Sequence, residues 1–393
     1  MADWYHGVRA RQEPTSVGTP IVAPSGTPLF FGTAPVHMVG GQVNVPVLGN
    51  MYKDAVEALG YSDNWTNYSL CQAIYSHYVL YRAAPAVFVN LLDPSKHKKA
   101  VAAKDVPLAD EQCLLPLDAI KGSVKVKEAA SGSAEYVVDE DYTLFYSGEN
   151  LILEVLAGGS ISTSATALNI AYDEVDPSMI TKTDVIGGFD VATKKSTGLE
   201  LVDAVFPKFL VIPDLLVCPG FSSDPEVAAV MGAKMHNING IFTGQAHIDA
   251  DSKTVTHYTD IPQWKKDNNI FRENQIVLWP KEKMADRTFN KSVQMAGLMA
   301  QTDSIYGCPT ESPSNKSMQI TATVLDDATD TTPATEVNLD ITQANYLNQN
   351  GIVTALNFIG GFVAWGNETA CYPANNDVKD YFINVNSEPF PKK

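Results

Sequence analysis

The sequence predicts a multidomain α/β (α+β) protein with a mostly parallel core domain, an inserted small antiparallel β domain and extended terminal arms. Strand patterns alternate with helix patterns before residue 98 and again after residue 181, an order typical of parallel sheets. Short alternating strands dominate the stretch between them. The length of 393 residues also exceeds what one compact core usually holds. These observations favour two α/β parts separated by a β insertion.

The first 27 residues form the predicted N-terminal arm. They are rich in Pro, Gly, Ser and Thr and carry one strand-like pattern, Val8-Arg-Ala-Arg11. An extended arm would pair with a sheet edge through its backbone, whatever its exposed side chains are. The alternative is a disordered terminus, the commoner state of chain ends. The residues alone leave both interpretations open.

The first part of the core domain is predicted at residues 28–98. It contains a buried strand at 29–34, helices at Tyr52–Leu59 and 69–82 with apolar residues three and four apart, and a closing strand at 86–92. A strand, two helices and a strand in this order indicate the opening of an α/β domain.

Residues 99–180 form the predicted β insertion. A four-residue Ser-Gly-Glu-Asn turn at 147–150 joins two of its strands. Because helices resume after residue 180, the simplest topology inserts this unit into the α/β domain. The predicted strands lie at 123–127, 142–146, 151–156 and 167–172.

The second part of the core domain is predicted at residues 181–385, followed by a tail at 386–393. Its clearest signal is Asp224-Pro225-Glu226, which has the pattern of an N-cap, a first-turn proline and an acid matched to the helix dipole. The other predicted elements are strands at 209–217, 241–242, 246–248, 275–279 and 318–325, and helices at 261–268, 288–306 and Ile341–Asn348.

An apolar run near the end predicts a β-hairpin. Strands at Ile352–Phe358 and 362–365 flank Gly360-Gly361, which supply the positive φ that a tight turn needs. The last eight residues are polar and broken by proline. We therefore expect this hairpin to form an edge of the sheet that residues outside the chain complete.

Charge and cysteine content exclude several classes. Since 28 basic and 45 acidic residues give a net charge of −17, binding to a nucleic-acid backbone is disfavoured. No apolar run approaches eighteen residues, and the start lacks the basic-then-apolar pattern of a signal peptide. The five cysteines are odd in number and lack a C-x-x-C pair, as is typical of reduced cytoplasmic thiols. They are Cys71, Cys113, Cys218, Cys308 and Cys371.

Two patterns invite a chemical interpretation. Residues 218–224 follow a strand and precede a helix, yet they match neither G-x-G-x-x-G nor a P-loop, and Asp224 would repel a phosphate. An ordinary capped helix is favoured over a nucleotide site. His247, Asp249 and Asp251 alternate and would share one strand face, which suits a divalent metal, but a solvated strand end is favoured.

Cys218 ends a strand, where catalytic groups of α/β enzymes often lie, but no base neighbours it in sequence. A buried, inert thiol is therefore the favoured interpretation. No histidine forms an H-x-x-x-H pattern or lies near a G-x-S-x-G elbow. The sequence accordingly predicts no catalytic, cofactor-binding or metal-binding residues and no cofactor.

Four motifs in chain order resemble the contractile tail sheath family of bacteriophages, R-type bacteriocins and related injection systems. They are Gly7-Val-Arg-Ala-Arg11, Thr27-Pro-Leu-Phe-Phe-Gly-Thr-Ala-Pro35, Pro219-Gly-Phe-Ser-Ser-Asp-Pro-Glu-Val-Ala-Ala229 and Trp365-Gly-Asn-Glu-Thr369. The resemblance implies a structural subunit rather than an enzyme, one that polymerises as a helical sheath around a tail tube. Sheath contraction would then drive the tube through a cell envelope.

The resemblance also implies partners and site residues. The partners are copies of the chain itself, a tail tube protein and a baseplate, without nucleic acid, and a membrane only indirectly through the injected tube. The location is a virion tail assembled in the bacterial host cytoplasm. Family members donate terminal strands to neighbouring subunits. Residue for residue, this implies strand exchange by Tyr5, Gly7, Val8, Arg9, Ala10, Arg11, Phe382, Ile383 and Val385.

The chain departs from the family pattern in two places. Glu368 stands where the family commonly has arginine, and after Val385 the chain lacks the basic residues and further elements that the family uses on the tube. Whether this chain binds a tube and polymerises therefore stays open. Two other classes of function also stay open. One is an α/β enzyme with an unrecognised site. The other is a monomeric surface-binding module with Tyr142 or Tyr146 in an exposed loop, although core tyrosines are favoured there.

Overall fold

The computed structural model describes residues 26–128, 135–306, 311–329 and 331–373. Ser69–Ile74 continues as a π-helix at Tyr75–Leu80. The helices are α1 Tyr52–Leu59, α2 Ser69–Ile74, α3 Lys182–Ile186, α4 Val202–Phe209, α5 Pro225–His236, α6 Ile261–Asp267, α7 Lys291–Tyr306 and α8 Ile341–Asn348. The strands are β1 Pro28–Gly32, β2 Val47–Gly49, β3 Ala86–Asn90, β4 Lys98–Pro107, β5 Gln112–Pro116, β6 Lys125–Glu128, β7 Tyr142–Ser147, β8 Asn150–Val155, β9 Ala167–Val175, β10 Gly188–Asp190, β11 Lys195–Thr197, β12 Leu215–Val217, β13 Gln245–Asp249, β14 Gln275–Leu278, β15 Lys281–Met284, β16 Arg287–Phe289, β17 Ala322–Val324, β18 Ile352–Phe358 and β19 Gly361–Trp365.

The core is an eight-stranded sheet in the order β19-β18-β14-β13-β12-β1-β3-β2. The six strands from β18 to β3 run parallel, and the two outermost strands are antiparallel to their neighbours. Helices α2, α5 and α7 pack against this sheet. Its central strands are almost entirely buried, as expected for parallel strands covered on both faces. The predicted α/β class with a mostly parallel core is confirmed.

The stretch from β4 to β9 forms two three-stranded antiparallel sheets, β4-β9-β6 and β5-β8-β7. It has a hydrophobic cluster of its own, which includes Leu144, Leu153 and Ile170. The sequence missed β4 and β5. In β4 nine of the ten residues are exposed or half-buried and several are charged, so no apolar alternation marks it. The domain boundaries at 99 and 180 stay a prediction.

One strand predicted in the second part of the core is mostly wrong. The predicted strand at 209–217 is only Leu215–Val217, because α4 ends at Phe209 and Leu210 adopts a left-handed conformation. Buried Val202 and Val205, three residues apart, hold α4 against the core. The apolar residues that follow α4 led to the prediction of a strand beginning at the end of this helix.

Other predicted boundaries also need correction. The helix predicted at 288–306 begins at Lys291, since Arg287–Phe289 pairs with β15. The helix predicted at 69–82 changes to π geometry at Tyr75 and ends at Leu80. Of the strand predicted at 318–325, only β17 is present, and it also pairs with β15. The strand predicted at 241–242 is a turn in which an isolated bridge links Phe242 to Ile238.

The predicted terminal hairpin is present as β18 and β19, with Phe358 opposite Gly361. Its outer edge is not open, however. The Asn315 N–H donates to the Ala364 carbonyl at 2.7 Å, and the Met318 N–H donates to the Phe362 carbonyl at 2.9 Å. Residues 315–318 therefore already cover this edge. The expectation that residues outside the chain complete it is corrected along this stretch.

The hairpin turn yields the first prediction. Gly360 has φ +97°, and a Cβ atom there would meet nothing within 4 Å, so a substitution would act through backbone strain alone. We expect Gly360→Ala to lower the free energy of unfolding by about 1–2 kcal/mol in urea denaturation. Gly122→Ala is the control, because a Cβ there also meets nothing and its φ is not positive. Equal changes in both variants would contradict the assigned turn.

Candidate functional site

The residues predicted to exchange strands, Tyr5 to Arg11 and Phe382 to Val385, lie outside the described residues. The structure does describe the points where both terminal segments join the core. It also describes the crevice in which an α/β enzyme would bind its ligand. These places are the candidate functional sites.

The crevice lies at the carboxyl ends of β12, β13 and β14, the edge at which open α/β sheets bind ligands. Its lining includes Gly220, Ser222, Asp249, Lys281 and Lys291. The cavity measures about 70 Å³. That volume holds a few water molecules, whereas pockets for drug-sized ligands measure several hundred Å³.

The Asp249 carboxylate fills the position that an anion would take in this crevice. It accepts hydrogen bonds from the Ser292 N–H at 2.8 Å, the Ser292 hydroxyl at 2.5 Å and the Ser222 hydroxyl at 3.3 Å. It thereby caps the first turn of α7, where backbone N–H groups need acceptors. Burial raises the pKa of Asp249. The chain's own carboxyl group thus satisfies the donors that would otherwise recruit a phosphate.

The neighbouring helix is capped in the same way. Asp224 accepts hydrogen bonds from the N–H groups of Glu226 at 2.9 Å and Val227 at 3.3 Å. The favoured interpretation of residues 218–224 as a capped helix is therefore confirmed. Cys218 is fully buried, and burial raises the pKa of its thiol, so a thiolate nucleophile is disfavoured.

The alternating residues His247, Asp249 and Asp251 do not form one metal-binding cluster. His247 is fully buried, burial lowers its pKa to about 4, and its Nδ1 lies 3.3 Å from the Ser292 carbonyl oxygen. Asp251 instead accepts hydrogen bonds from the Lys253 N–H and the Thr254 hydroxyl. Among the described residues, no group of three or more His, Cys, Asp or Glu side chains is placed to hold a metal ion.

The N-terminal segment joins the core at Gly26. Its N–H donates to Asp214 Oδ2 at 2.6 Å, across 188 positions of sequence. Asp214 is buried, and desolvation raises its pKa to about 8. Sequence reasoning missed this contact, because a lone aspartate before a strand usually lies in solvent.

The C-terminal segment joins the core around Lys265 of α6. The Lys265 ammonium group donates to the carbonyl oxygens of Ala370 at 3.1 Å and Tyr372 at 2.7 Å, and also to that of Asn350. Its side chain is 4% exposed, and desolvation lowers its pKa to about 8. Sequence reasoning missed this residue as well, since helix periodicity says nothing of distant carbonyls.

The tyrosines of the β insertion do not form an exposed recognition loop. Tyr142 is 2% exposed, and the half-buried Tyr146 donates its hydroxyl to the Ala119 carbonyl at 2.8 Å. The favoured core role of both residues is confirmed. Nearby, Glu149 accepts hydrogen bonds from the Ser62 hydroxyl at 2.6 Å and the Asp63 N–H at 2.9 Å, which tie the insertion to the core.

Comparison with known proteins identifies the relatives of this chain. No family model matches it. The tail sheath protein of Burkholderia phage BcepMu is 24% identical over 403 aligned positions, which cover 97% of this chain and 77% of that protein. The chain is a relative of phage tail sheath proteins. The resemblance predicted from the four motifs is confirmed.

Two solved structures are also similar to this chain. The contracted sheath complex of PVC, an extracellular contractile injection system, aligns with a TM-score of 0.47 and 12% identity over 98% of this chain and 71% of that chain. The sheath tail protein of Desulfitobacterium hafniense aligns with a TM-score of 0.45 and 11% identity over 99% of this chain and 78% of that chain. Among the described residues of this chain, no helix has the length and apolar character needed to cross a membrane.

The buried Asp214 predicts a pH-dependent stability. Because its folded pKa of about 8 exceeds its ordinary value of 3.8, the stability associated with its bound proton is lost as the pH rises between these values. Asp214→Asn keeps an acceptor for Gly26 but does not titrate. We expect the free energy of unfolding to decrease from pH 5 to pH 8 in the wild type. In this variant we expect the decrease to be smaller by at least about 1 kcal/mol. Urea denaturation at both values measures the difference.

The control for this measurement is Asp286→Asn, which changes an exposed aspartate. It should follow the wild-type pH dependence. A wild-type pH dependence in Asp214→Asn would show that Asp214 does not hold its proton in the folded chain.

Proposed function

We propose that the chain is a structural subunit of a contractile tail sheath, which polymerises with copies of itself around a tail tube. Contraction of that sheath drives the tube through a cell envelope. The observation that carries the proposal is the alignment with the BcepMu tail sheath protein over 97% of the chain. The tube and a baseplate are further partners, and a membrane is met only through the injected tube. The assembly belongs to a virion tail formed in the host cytoplasm.

The role is structural rather than enzymatic. The crevice at the carboxyl ends of the strands supports this, since Asp249 occupies the anion position there and the Cys218 thiol is fully buried. A metastable sheath needs two packings of the same subunits separated by a kinetic barrier, and flexible links that keep neighbours joined. A rigid buried sheet with two terminal segments attached to it suits that requirement.

The terminal segments provide the links in this proposal. Residues 1–27 act as an extended arm in which Tyr5, Gly7, Val8, Arg9, Ala10 and Arg11 pair with a neighbouring subunit. Phe382, Ile383 and Val385 do the same near the other end. Residues 28–98 and 181–385 form the core domain, 99–180 form the inserted domain, and 386–393 form a tail. Main-chain pairing of this kind gives affinity without a special side chain.

The assembly state tests the proposed function. We expect the protein, expressed at its natural full length, to form helical tubes visible by negative-stain electron microscopy, because sheath subunits associate with themselves. Persistent monomers at high concentration, measured by light scattering, would contradict a sheath subunit.

Deletion of residues 1–14 tests the link itself. We expect the tubes to be lost while the thermal unfolding of the monomer stays cooperative, because the arm's partner is another subunit. Circular dichroism melting of the same preparation is the control. Loss of cooperative melting would show instead that residues 1–14 stabilise their own core.

A further inference from the structure

We propose that the amino-terminal edge of the parallel core sheet anchors both terminal segments, with Lys265 and Asp214 as the two positioning residues. The inference rests on the proposed function, in which these segments join neighbouring subunits. It deepens that function by stating where tension on the links enters the core. The observations that support this inference are the hydrogen bonds at the starts of β1, β12, β13, β14 and β18.

The N-terminal segment reaches this edge between β1 and β12. Asp214 directly precedes β12, and its carboxyl group accepts the Gly26 N–H two residues before β1 begins. Pro28 then lies opposite Leu215 in parallel register. The buried carboxyl group therefore fixes the chain at its point of entry, before strand pairing starts.

The C-terminal segment crosses the same edge from β19 toward β14. Asn367 and Asn348, at the end of α8, exchange two hydrogen bonds of 3.0 Å. The Ala370 N–H then donates to the carbonyl of Gln275, the first residue of β14, at 2.9 Å. The Ala370 carbonyl in turn accepts from Lys265. Residues 366–373 are thus attached to the starts of β18 and β14 after leaving the hairpin.

Backbone hydrogen bonds connect the two attachment points. The Gln245 N–H at the start of β13 donates to the Asp214 carbonyl at 2.7 Å, and the Ala246 N–H donates to the Asn274 carbonyl at 2.8 Å. Between β1 and β14 lie only β12 and β13. At normal strand spacing the two attachment points are about 14 Å apart. Tension between the segments therefore crosses four adjacent strands, and neither the β insertion nor β19 lies on its path.

Lys265 is the stronger of the two anchors. An ammonium group has three donors, and the three carbonyls of Asn350, Ala370 and Tyr372 accept them. One acceptor lies in the turn between α8 and β18 and two lie in the C-terminal segment, so a single side chain binds both stretches to α6. Hydrogen bonds from a charged donor are the stronger class, and buried carbonyls that lose their donor are costly.

Hydrogen exchange followed by mass spectrometry on the unassembled full chain tests the anchor. We expect the backbone amides of residues 366–372 to exchange about tenfold faster in Lys265→Met, because their segment loses its charged donor. Amides of β13 and β14 should keep their wild-type rates. Lys266→Met, which changes the exposed neighbour on the same helix, should match the wild type throughout. Unchanged rates at 366–372, or equal acceleration across β13 and β14, would overturn the proposal.

A second pair of variants tests the other anchor. Asp214→Leu should accelerate exchange of the amides of residues 26, 27, 29 and 30, whereas Asp214→Asn, which keeps an acceptor, should leave them near the wild-type rate. Identical behaviour of the two variants would overturn the role of Asp214. If Lys265→Met does not fold, Lys265→Gln keeps two donors and replaces it, with a smaller acceleration confined to 366–372 expected.

These experiments are independent of assembly. Because they use the unassembled chain, absence of tubes would contradict the sheath proposal without affecting the exchange result. Conversely, tubes that form normally from a chain with unchanged exchange at 366–372 would contradict the anchoring edge alone.

Discussion

The structure depends on one constraint: six parallel strands are buried beneath helices, so the backbone groups at both ends of those strands need partners inside the protein. The central strands β1, β12 and β14 expose almost no surface. An unpaired buried N–H or carbonyl costs about as much as a lost hydrogen bond. The groups that pair with the buried N–H and carbonyl groups at each edge therefore determine whether that edge can bind a ligand or hold a neighbouring segment.

The two edges are satisfied by different kinds of group. At the carboxyl edge, Asp249 caps α7 with a buried carboxylate, and the small space that remains holds little more than water. At the amino edge, Asp214 and Lys265 bind backbone groups of the segments that enter and leave the core. An enzyme of this fold class would keep its carboxyl edge open for a ligand. In this chain Asp249 occupies much of that edge, and under the proposed function the opposite edge serves for attachment.

Sequence reasoning succeeded where local chemistry determines structure. Asp224 with Pro225 and Glu226 predicted the start of α5, and the glycines at 360 and 361 predicted the hairpin turn. It failed where partners are remote. Lys265 is an ordinary lysine in a helix until the fold brings a carbonyl 105 positions away to its ammonium group. Strand β4 was missed for a related reason, since its pairing with β9 rather than an apolar face defines it.

The polar anchors Asp214 and Lys265 suit a subunit that, under the proposed function, must move without unfolding. Under the proposed function, the links pull on the core from changing directions as neighbouring subunits rotate. Apolar packing alone is non-directional and lets a segment slide, whereas hydrogen bonds from Lys265 to two carbonyls of one segment fix its register. Burying that ammonium group costs stability, because burial disfavours its charged form and lowers its pKa. A cost of this kind at a point of attachment is expected where position matters more than stability.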